Sequence, residues 1–175
     1  METHPTRLFE SERAYARRLV AGDAHAMVAI FGDEESMRFV GDGKTLNAAD
    51  CLYWINDVTE KNFQNRGYGL IGVFDKSNDE LVACTGVFHP GQQLEPEVMY
   101  YLRRDWWGRG LATEIVIALV AFARGEWKVG GMIATVALRN IPSQRVIAKA
   151  GFTHTNDRPN EDGTVTQVWE LPMPR

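Results

Sequence analysis

A chain of 175 residues suits a single domain spanning 1–175, long enough to bury a core without a disulfide or structural metal. Hydrophobic residues make up 45% and charged residues 24%, which excludes disorder, collagen and coiled coil. Lys and Arg number 19 against 23 Asp and Glu, and the net charge of −4 argues against a general nucleic-acid binder, which carries a basic excess.

No apolar run is long enough to cross a membrane. The first residues carry charges throughout and no apolar stretch, so no secretory leader is expected. Cys51 and Cys84 form no CxxC pattern, and His4, His25, His89 and His154 lack ligand spacing. No metal is therefore expected, and two small buried thiols in a reducing cytoplasm are.

In chain order, Arg7 to Glu10 reads as a short first strand. Ser11 to Ala21 reads as a helix, with Ser11 as cap and Tyr15, Leu19 and Val20 on one face. Asp23 caps a short helix through Phe31. Asp33, Glu34 and Glu35 form an acidic turn. Asn47 to about Gln64 is helical, with Cys51, Leu52, Ile55 and Val58 at helix spacing.

The pattern then changes to apolar runs. Tyr68 to Asp75 and Leu81 to His89, split by Lys76-Ser77-Asn78-Asp79, read as a hairpin. Glu97 to Leu102 is a further strand. Leu111 to about Arg124 is an amphipathic helix with Leu111, Ile115, Leu119 and Phe122 along one stripe. Met132 to Leu138 is β-like. Asn140 starts a helix that Gly151 ends. Val165 to Leu171 is a last strand. The predicted order, β-α-α-α-β-β-β-α-β-α-β, is a mixed α/β (α+β) sheet and not a regular βαβ repeat.

Two glycine clusters invite a phosphate-binding reading. Gly67-Tyr68-Gly69-Leu70-Ile71-Gly72 matches GxGxxG, but a helix precedes it and a strand follows. That context is inverted for a dinucleotide turn. Trp106-Trp107-Gly108-Arg109-Gly110-Leu111-Ala112-Thr113-Glu114 has the right context: a strand before, an amphipathic helix after. Glycines there expose successive backbone N–H groups, and the helix adds its unpaired amides and positive dipole end. Such a turn is a ready anion site, with Arg103, Arg104 and Arg109 beside it. A plain tight turn is the alternative.

This segment resembles the acyl-CoA pyrophosphate loop of the GCN5-related N-acetyltransferase (GNAT) superfamily, [Q/R/W]-x-x-G-x-[G/A], with Trp107, Gly110 and Ala112 at its fixed positions. Asn140-Ile141-Pro142-Ser143-Gln144-Arg145-Val146-Ile147-Ala148-Lys149-Ala150-Gly151-Phe152 resembles a second hallmark, N-x-x-[S/A]-x-x-[V/L]-x-x-K-x-G-F. Together with EVMYYLRRDWWGRGLATE, it is most similar to the RimJ/RimL-like branch. Trp107 departs from the wider superfamily but suits that branch.

The resemblance implies the GNAT fold with splayed central strands, acetyl-CoA as donor and a primary amine as acceptor. It implies direct attack in a ternary complex, without an acyl-enzyme. Backbone amides of Tyr101 and Leu102 would meet the pantetheine arm. Gly108, Arg109, Gly110, Leu111, Ala112 and Thr113 would wrap the pyrophosphate. Asn140 would cap its helix and touch the pantetheine. Arg145 and Lys149 are candidates for the nucleotide's phosphate. A homodimer is compatible with the family, and neither a membrane nor a nucleic-acid partner is expected. The acceptor is a small-molecule amine or a peptide N-terminus.

The chemistry needs a neutral amine and a stabilised leaving thiolate. An α-amino group with pKa near 8 is about a tenth neutral at pH 7, whereas a lysine amine near 10.4 must lose a proton at a cost of about 4.6 kcal/mol. Glu97, at the start of the splayed strand, is the candidate base, and His89 is the second. Many superfamily members carry a tyrosine seven residues after the asparagine as proton donor. Ile147 stands there and cannot donate. Ser143, one turn earlier, is the candidate acid or hydrogen-bond donor to sulfur; a first-turn serine supporting the Asn140 cap is the other reading. Asp33, Glu34 and Glu35 would line a cation-attracting mouth, Trp54, Tyr68 and Trp169 its apolar walls, and Glu161-Asp162-Gly163 a nearby turn. A non-catalytic acyl-CoA-binding module is the alternative that Ile147 favours.

Overall fold

The computed structural model describes residues 5–91 and 93–173, so His4 lies outside the described residues. Its eight strands form one mixed sheet in the order β1-β2-β3-β4-β5-β6-β8-β7. They are β1 Arg7–Glu10, β2 Ala14–Arg18, β3 Leu70–Asp75, β4 Leu81–Phe88, β5 Glu97–Leu102, β6 Met132–Ala137, β7 Thr153–Pro159 and β8 Val165–Leu171. Every neighbouring pair is antiparallel except β5 with β6, which run parallel.

Among the described residues six α-helices accompany them: α1 Ala24–Phe31, α2 Glu34–Met37, α3 Ala48–Tyr53, α4 Glu60–Arg66, α5 Leu111–Gly125 and α6 Ile141–Lys149. A π-helical stretch, Trp54–Thr59, joins α3 to α4 without a break, so the expected helix from Asn47 is present but locally widened. Asn47 caps it, its side chain accepting from Ala49 and Asp50 N–H groups.

Alternation along the central strands sorts side chains to the two sheet faces. On one face, Val82, Val87, Val98 and Leu102 pack with Leu111, Ile115 and Leu119 of α5 and Ile147 of α6. On the other, Cys84, Phe88 and Leu70 pack with Met27, Ile30 and Phe31 of α1 and Cys51 of α3. The two cysteines are free and buried. Burial pushes the Cys51 thiol up to about 11 and the Cys84 thiol well up, so neither is a poised nucleophile.

Three elements differ from expectation. Ser11–Ala21 is not a helix. Residues 14–18 are strand β2, paired with both β1 and β3. Ala14 and Ala16 face the α5 side and Tyr15 the α1 side, so both faces are covered and no polar alternation marks the strand. Ser11 closes the β1–β2 connection instead of capping: its N–H donates to Ala14 O at 2.8 Å and its hydroxyl to the same oxygen at 3.2 Å. Asp23 likewise does not cap α1 through its side chain. It accepts from both Arg17 Nη atoms, at 2.8 and 2.9 Å, and from Val20 N–H at 2.8 Å.

The acidic turn is the start of α2, with Asp33 as its cap accepting from Ser36 N–H at 2.9 Å. Finally, Thr153–Pro159 is an additional strand. It is the exposed outer strand of the sheet, bonded only to β8. Its polar residues carry no apolar period, and they suit an edge that must stay unpaired.

Gly67 ends α4 in the left-handed region at φ 79°. Helix before and strand after confirm that the GxGxxG match lacks the geometry of a dinucleotide turn.

Candidate active site

The site is organised by the two edges of β5. Its pairing with β4 runs from Phe88↔Glu97 to Ala83↔Leu102. The Arg103 N–H donates to Val82 O at 2.9 Å, and Thr85 Oγ1 donates to Met99 O at 2.8 Å. Backbone groups of Met99, Tyr101 and Arg103 therefore point at β4, and those of Val98, Tyr100 and Leu102 point the other way. On that other side β6 is in register only at Glu97↔Ile133, with Ile133 N–H donating to Pro96 O at 2.9 Å. Beyond this pair the two strands part.

This register corrects one expectation. Leu102 does face the gap, but the Tyr101 backbone is directed at Cys84 of β4. The second gap-facing amide beside Leu102 is that of Tyr100. The Tyr101 ring lies on the α1 side, 5.0 Å from the Phe31 ring. Leu102 O accepts from Trp107 Nε1 at 3.1 Å, which ties the strand's end to the glycine loop.

A 3-10 turn, Arg104–Trp106, leads from β5 to that loop. Gly108 and Gly110 adopt φ 71° and 77°, a region costly for residues with a Cβ. A side chain at Gly108 would meet nothing within 4 Å, and one at Gly110 only Arg13 Nη2 at 3.9 Å. The space beside both glycines is thus open. Leu111, wholly buried, pins the first turn of α5 into the core. Glu114 N–H donates to Gly110 O at 3.2 Å, so the amides of Leu111, Ala112 and Thr113 precede the helix's own hydrogen-bond ladder. Open glycines followed by helix N-terminal amides fit a diphosphate.

The charges around the loop are distributed differently from expectation. Arg103 is held by Asp105, at 2.7 Å, and by Glu80, at 3.0 Å, and Arg104 lies 3.4 Å from Asp33. Arg109 remains beside the loop, its guanidinium 5.3 Å from the Trp106 ring centre.

A residue without any motif joins it. Arg13, from the β1–β2 connection, donates through Nη1 to Arg109 O at 2.9 Å and grips Glu114 through Nε at 2.8 Å and Nη2 at 2.7 Å. Its backbone N–H adds a further bond to Glu114 at 2.8 Å. Burial opposes the Glu114 carboxylate, but the hydrogen bonds from Arg13 and Ser11 prevail and hold its carboxyl below the usual value. Arg13 lies 101 residues from Glu114 in sequence, a separation no local pattern reveals.

Glu97 sits where the strands part and is 5% exposed. Its carboxylate accepts from Thr135 Oγ1, from Thr135 N–H at 3.3 Å and from Gln93 Nε2 at 3.2 Å. His89 is linked to the same unit. Gln93 O lies 3.1 Å from its Nδ1, and the Tyr68 hydroxyl 2.7 Å from its Nε2. A carbonyl can only accept, so Nδ1 carries a proton, and in the neutral ring Nε2 accepts from Tyr68. The two candidate bases are therefore connected through Gln93.

Across the gap, Asn140 caps α6, its Oδ1 accepting from Ser143 N–H at 3.3 Å. Ser143 Oγ lies 2.6 Å from the Tyr100 hydroxyl, which also reaches Ser143 O at 3.3 Å. No motif or spacing singles out Tyr100, as none singles out Arg13. Ile147 is wholly buried in the core, and Arg145 and Lys149 are exposed on α6.

The expected acceptor walls do not converge. Trp54 packs edge-on to Phe88 on the α1 side, whereas Tyr68 and Trp169 belong to the α5 side. Glu35 pairs with Arg38 at 3.0 Å. Glu161-Asp162-Gly163 does form the turn between β7 and β8, with Gly163 N–H bonded to Asn160 O. Among the described residues, no group of three or more His, Cys, Asp or Glu could hold a metal ion, and no helix is long and apolar enough to cross a membrane.

The site is thus an eight-stranded mixed sheet that parts beside a glycine loop and a helix N-terminus. Residues 13–153 match the family model described as "Acetyltransferase (GNAT) domain", and the chain belongs to the GNAT acetyltransferase family. It is 33% identical over 101 residues to the Bacillus subtilis protein named Probable N-acetyltransferase YjcK, covering 57% of this chain and 55% of that relative's length. The fold is similar to ribosomal-protein-S5-alanine acetyltransferase from Vibrio fischeri, with TM-score 0.80 at 15% identity, covering 96% of this chain and 97% of that one. It is also similar to the Salmonella typhimurium acetyltransferase YncA, solved with its cofactor acetyl-CoA, with TM-score 0.73 at 18% identity, covering 93% and 95% of the two chains.

Proposed function

We propose that this chain transfers an acetyl group from acetyl-CoA to a primary amine by direct attack in a ternary complex. The parting of β5 from β6 after Glu97↔Ile133, next to the open glycine loop, carries this reading. The amides of Gly108 to Thr113 would hold the pyrophosphate, with Arg109 adding charge. The gap-facing backbone of Tyr100 and Leu102 would pair with the pantetheine arm as an extra strand. Bound acetyl-CoA supplies an acyl group activated as a thioester.

Glu97 takes the amine's proton, directly or through a water. Its donors from Thr135 and Gln93 fix the carboxylate's orientation, which general-base catalysis needs. Ser143 donates a hydrogen bond toward sulfur as the thiolate leaves. Asn140 holds the turn of α6 from which Ser143 projects.

Calorimetry with acetyl-CoA and with CoA, followed by thiol release over a panel of amines, tests the reading. Binding of both and amine-dependent release are expected. Neither binding would overturn it. Stabilisation by CoA without turnover on any amine would favour the non-catalytic module suggested by Ile147.

A further inference from the structure

Helix α6 presents a wholly buried Ile147 at the position where the resemblance places a hydroxyl donor. Ser143 is then the remaining hydroxyl on that turn. A serine hydroxyl by itself swings among three staggered rotamers and serves as donor or acceptor in each. Here one group fixes the backbone that carries the hydroxyl and a second restrains the hydroxyl itself. Asn140 holds the Ser143 N–H, and the Tyr100 hydroxyl sits 2.6 Å from Ser143 Oγ.

Tyr100 comes from the strand facing α6 across the gap. Its backbone lies on the parted edge of β5, while its ring packs on the α5 and α6 side. Burial pushes its phenol up to about 12 against the opposing effect of the Ser143 hydrogen bond, so it keeps its proton at neutral pH. Either hydroxyl could donate in that pair, and the phenol also lies 3.3 Å from Ser143 O; the phenol is the more acidic O–H and so the better donor, and where it donates to Oγ the serine's own O–H is left free.

We infer that Tyr100 is a positioning residue for the sulfur end of coenzyme A: its phenol donates to Ser143 Oγ and thereby directs the Ser143 O–H at the leaving sulfur. The strand thus orients the serine hydroxyl of α6 that stands in for the donor missing at Ile147. This rests on the acetyl-CoA reading above. In the step itself the amine lone pair forms the new C–N bond, and the C–S bond breaks with its electron pair on sulfur. Ser143 keeps its proton and lends a hydrogen bond. The proton lost by the amine leaves through Glu97.

The test is the ionisation of CoA bound to the protein, followed by thiolate ultraviolet absorption against pH. Wild type, Tyr100→Phe, Ser143→Ala and the double variant are compared, with CoA affinity measured by calorimetry in parallel. The bound thiol is expected to ionise about one pH unit higher in each variant than in wild type, the worth of one hydrogen bond to a charged group. Turnover is expected to fall about tenfold in either single variant and no further in the double, with KM for acetyl-CoA within about twofold.

Unchanged thiol ionisation and turnover in Tyr100→Phe would overturn the inference. So would single losses that multiply in the double variant. Ser143→Ala tests the serine end independently, and no shift in bound-thiol ionisation there would overturn it equally. Absence of CoA binding in wild type would overturn the acetyl-CoA reading as well, which separates the two failures.

Discussion

Strand β5 meets its two neighbours on unequal terms. Toward β4 it is laddered from Phe88↔Glu97 to Ala83↔Leu102, and toward β6 it is in register at Glu97↔Ile133 alone. The closed edge is what makes the open edge specific. Because the ladder with β4 fixes which amides point inward, it also fixes which are offered to the gap. The same alternation sends the Tyr100 ring toward Ser143 and the Tyr101 ring toward Phe31. A strand free on both sides would dictate neither.

Substitutions on the open side should cost function and leave the fold standing. Glu97→Gln is expected to lower kcat about a hundredfold at neutral pH, and the deficit should shrink as the pH approaches the acceptor amine's own pKa. A pH–rate profile parallel to that of wild type would remove Glu97 as base. Gly110→Val forces a branched side chain into the left-handed region at φ 77°. The strain of about 1–2 kcal/mol lowers stability, and one lost charged hydrogen bond of about 1.5–3 kcal/mol predicts CoA binding weaker by about ten- to a hundredfold, read by calorimetry.

The closed side should respond the other way. A Cβ at Gly86 of β4 would lie 2.3 Å from Gly69 O, a backbone atom that cannot swing aside. Gly86→Ala is expected to cost about 1–3 kcal/mol, lowering Tm by roughly 2–10 °C, while CoA affinity of the folded protein is kept. Equal stability of this variant and wild type would contradict the close approach of β3 and β4.

The smallest effect lies between the two sides, in the Arg13–Glu114 clamp. The Glu114 carboxyl is held below its ordinary value of 4.5, so folding favours its ionised form. Its stabilisation is present above the unfolded pKa and is lost as pH falls through the lower folded one. Glu114→Gln should therefore lower Tm by about 4 °C at neutral pH and leave it nearly unchanged well below pH 4. A Tm difference that persists in acid would argue for lost packing instead.

Much of the fold was legible because its signals are local. The stripe Leu111, Ile115 and Leu119 gives α5, and Asn140 and Gly151 bracket α6. Strand β2 looks helical in the sequence because its alanines and Tyr15 are covered on both faces, which erases the polar alternation, while Tyr15 and Leu19 happen to lie four apart. Strand β7 was missed for the opposite reason: Thr153 to Pro159 are all exposed and carry no apolar period.

The site divides in the same way. Gly108, Gly110, Asn140 and Ser143 sit in contiguous patterns and stand out in the sequence. Arg13 and Tyr100 act through partners 101 and 43 residues distant, and only the three-dimensional pairing gives them a role. The amide expected from Tyr101 shows the finer limit. One residue of register decides which way a backbone group faces, and the register comes from β4.

Leu111 has a consequence of its own. Directly after the second loop glycine, a side chain driven wholly out of water locks the cradle's shape when the chain folds. On the proposed reading, a diphosphate would find its donors already arranged, and little disorder would be given up in settling there. The same rivet means that the cradle keeps its form for as long as the hydrophobic interior does, so warming should erode recognition and architecture together.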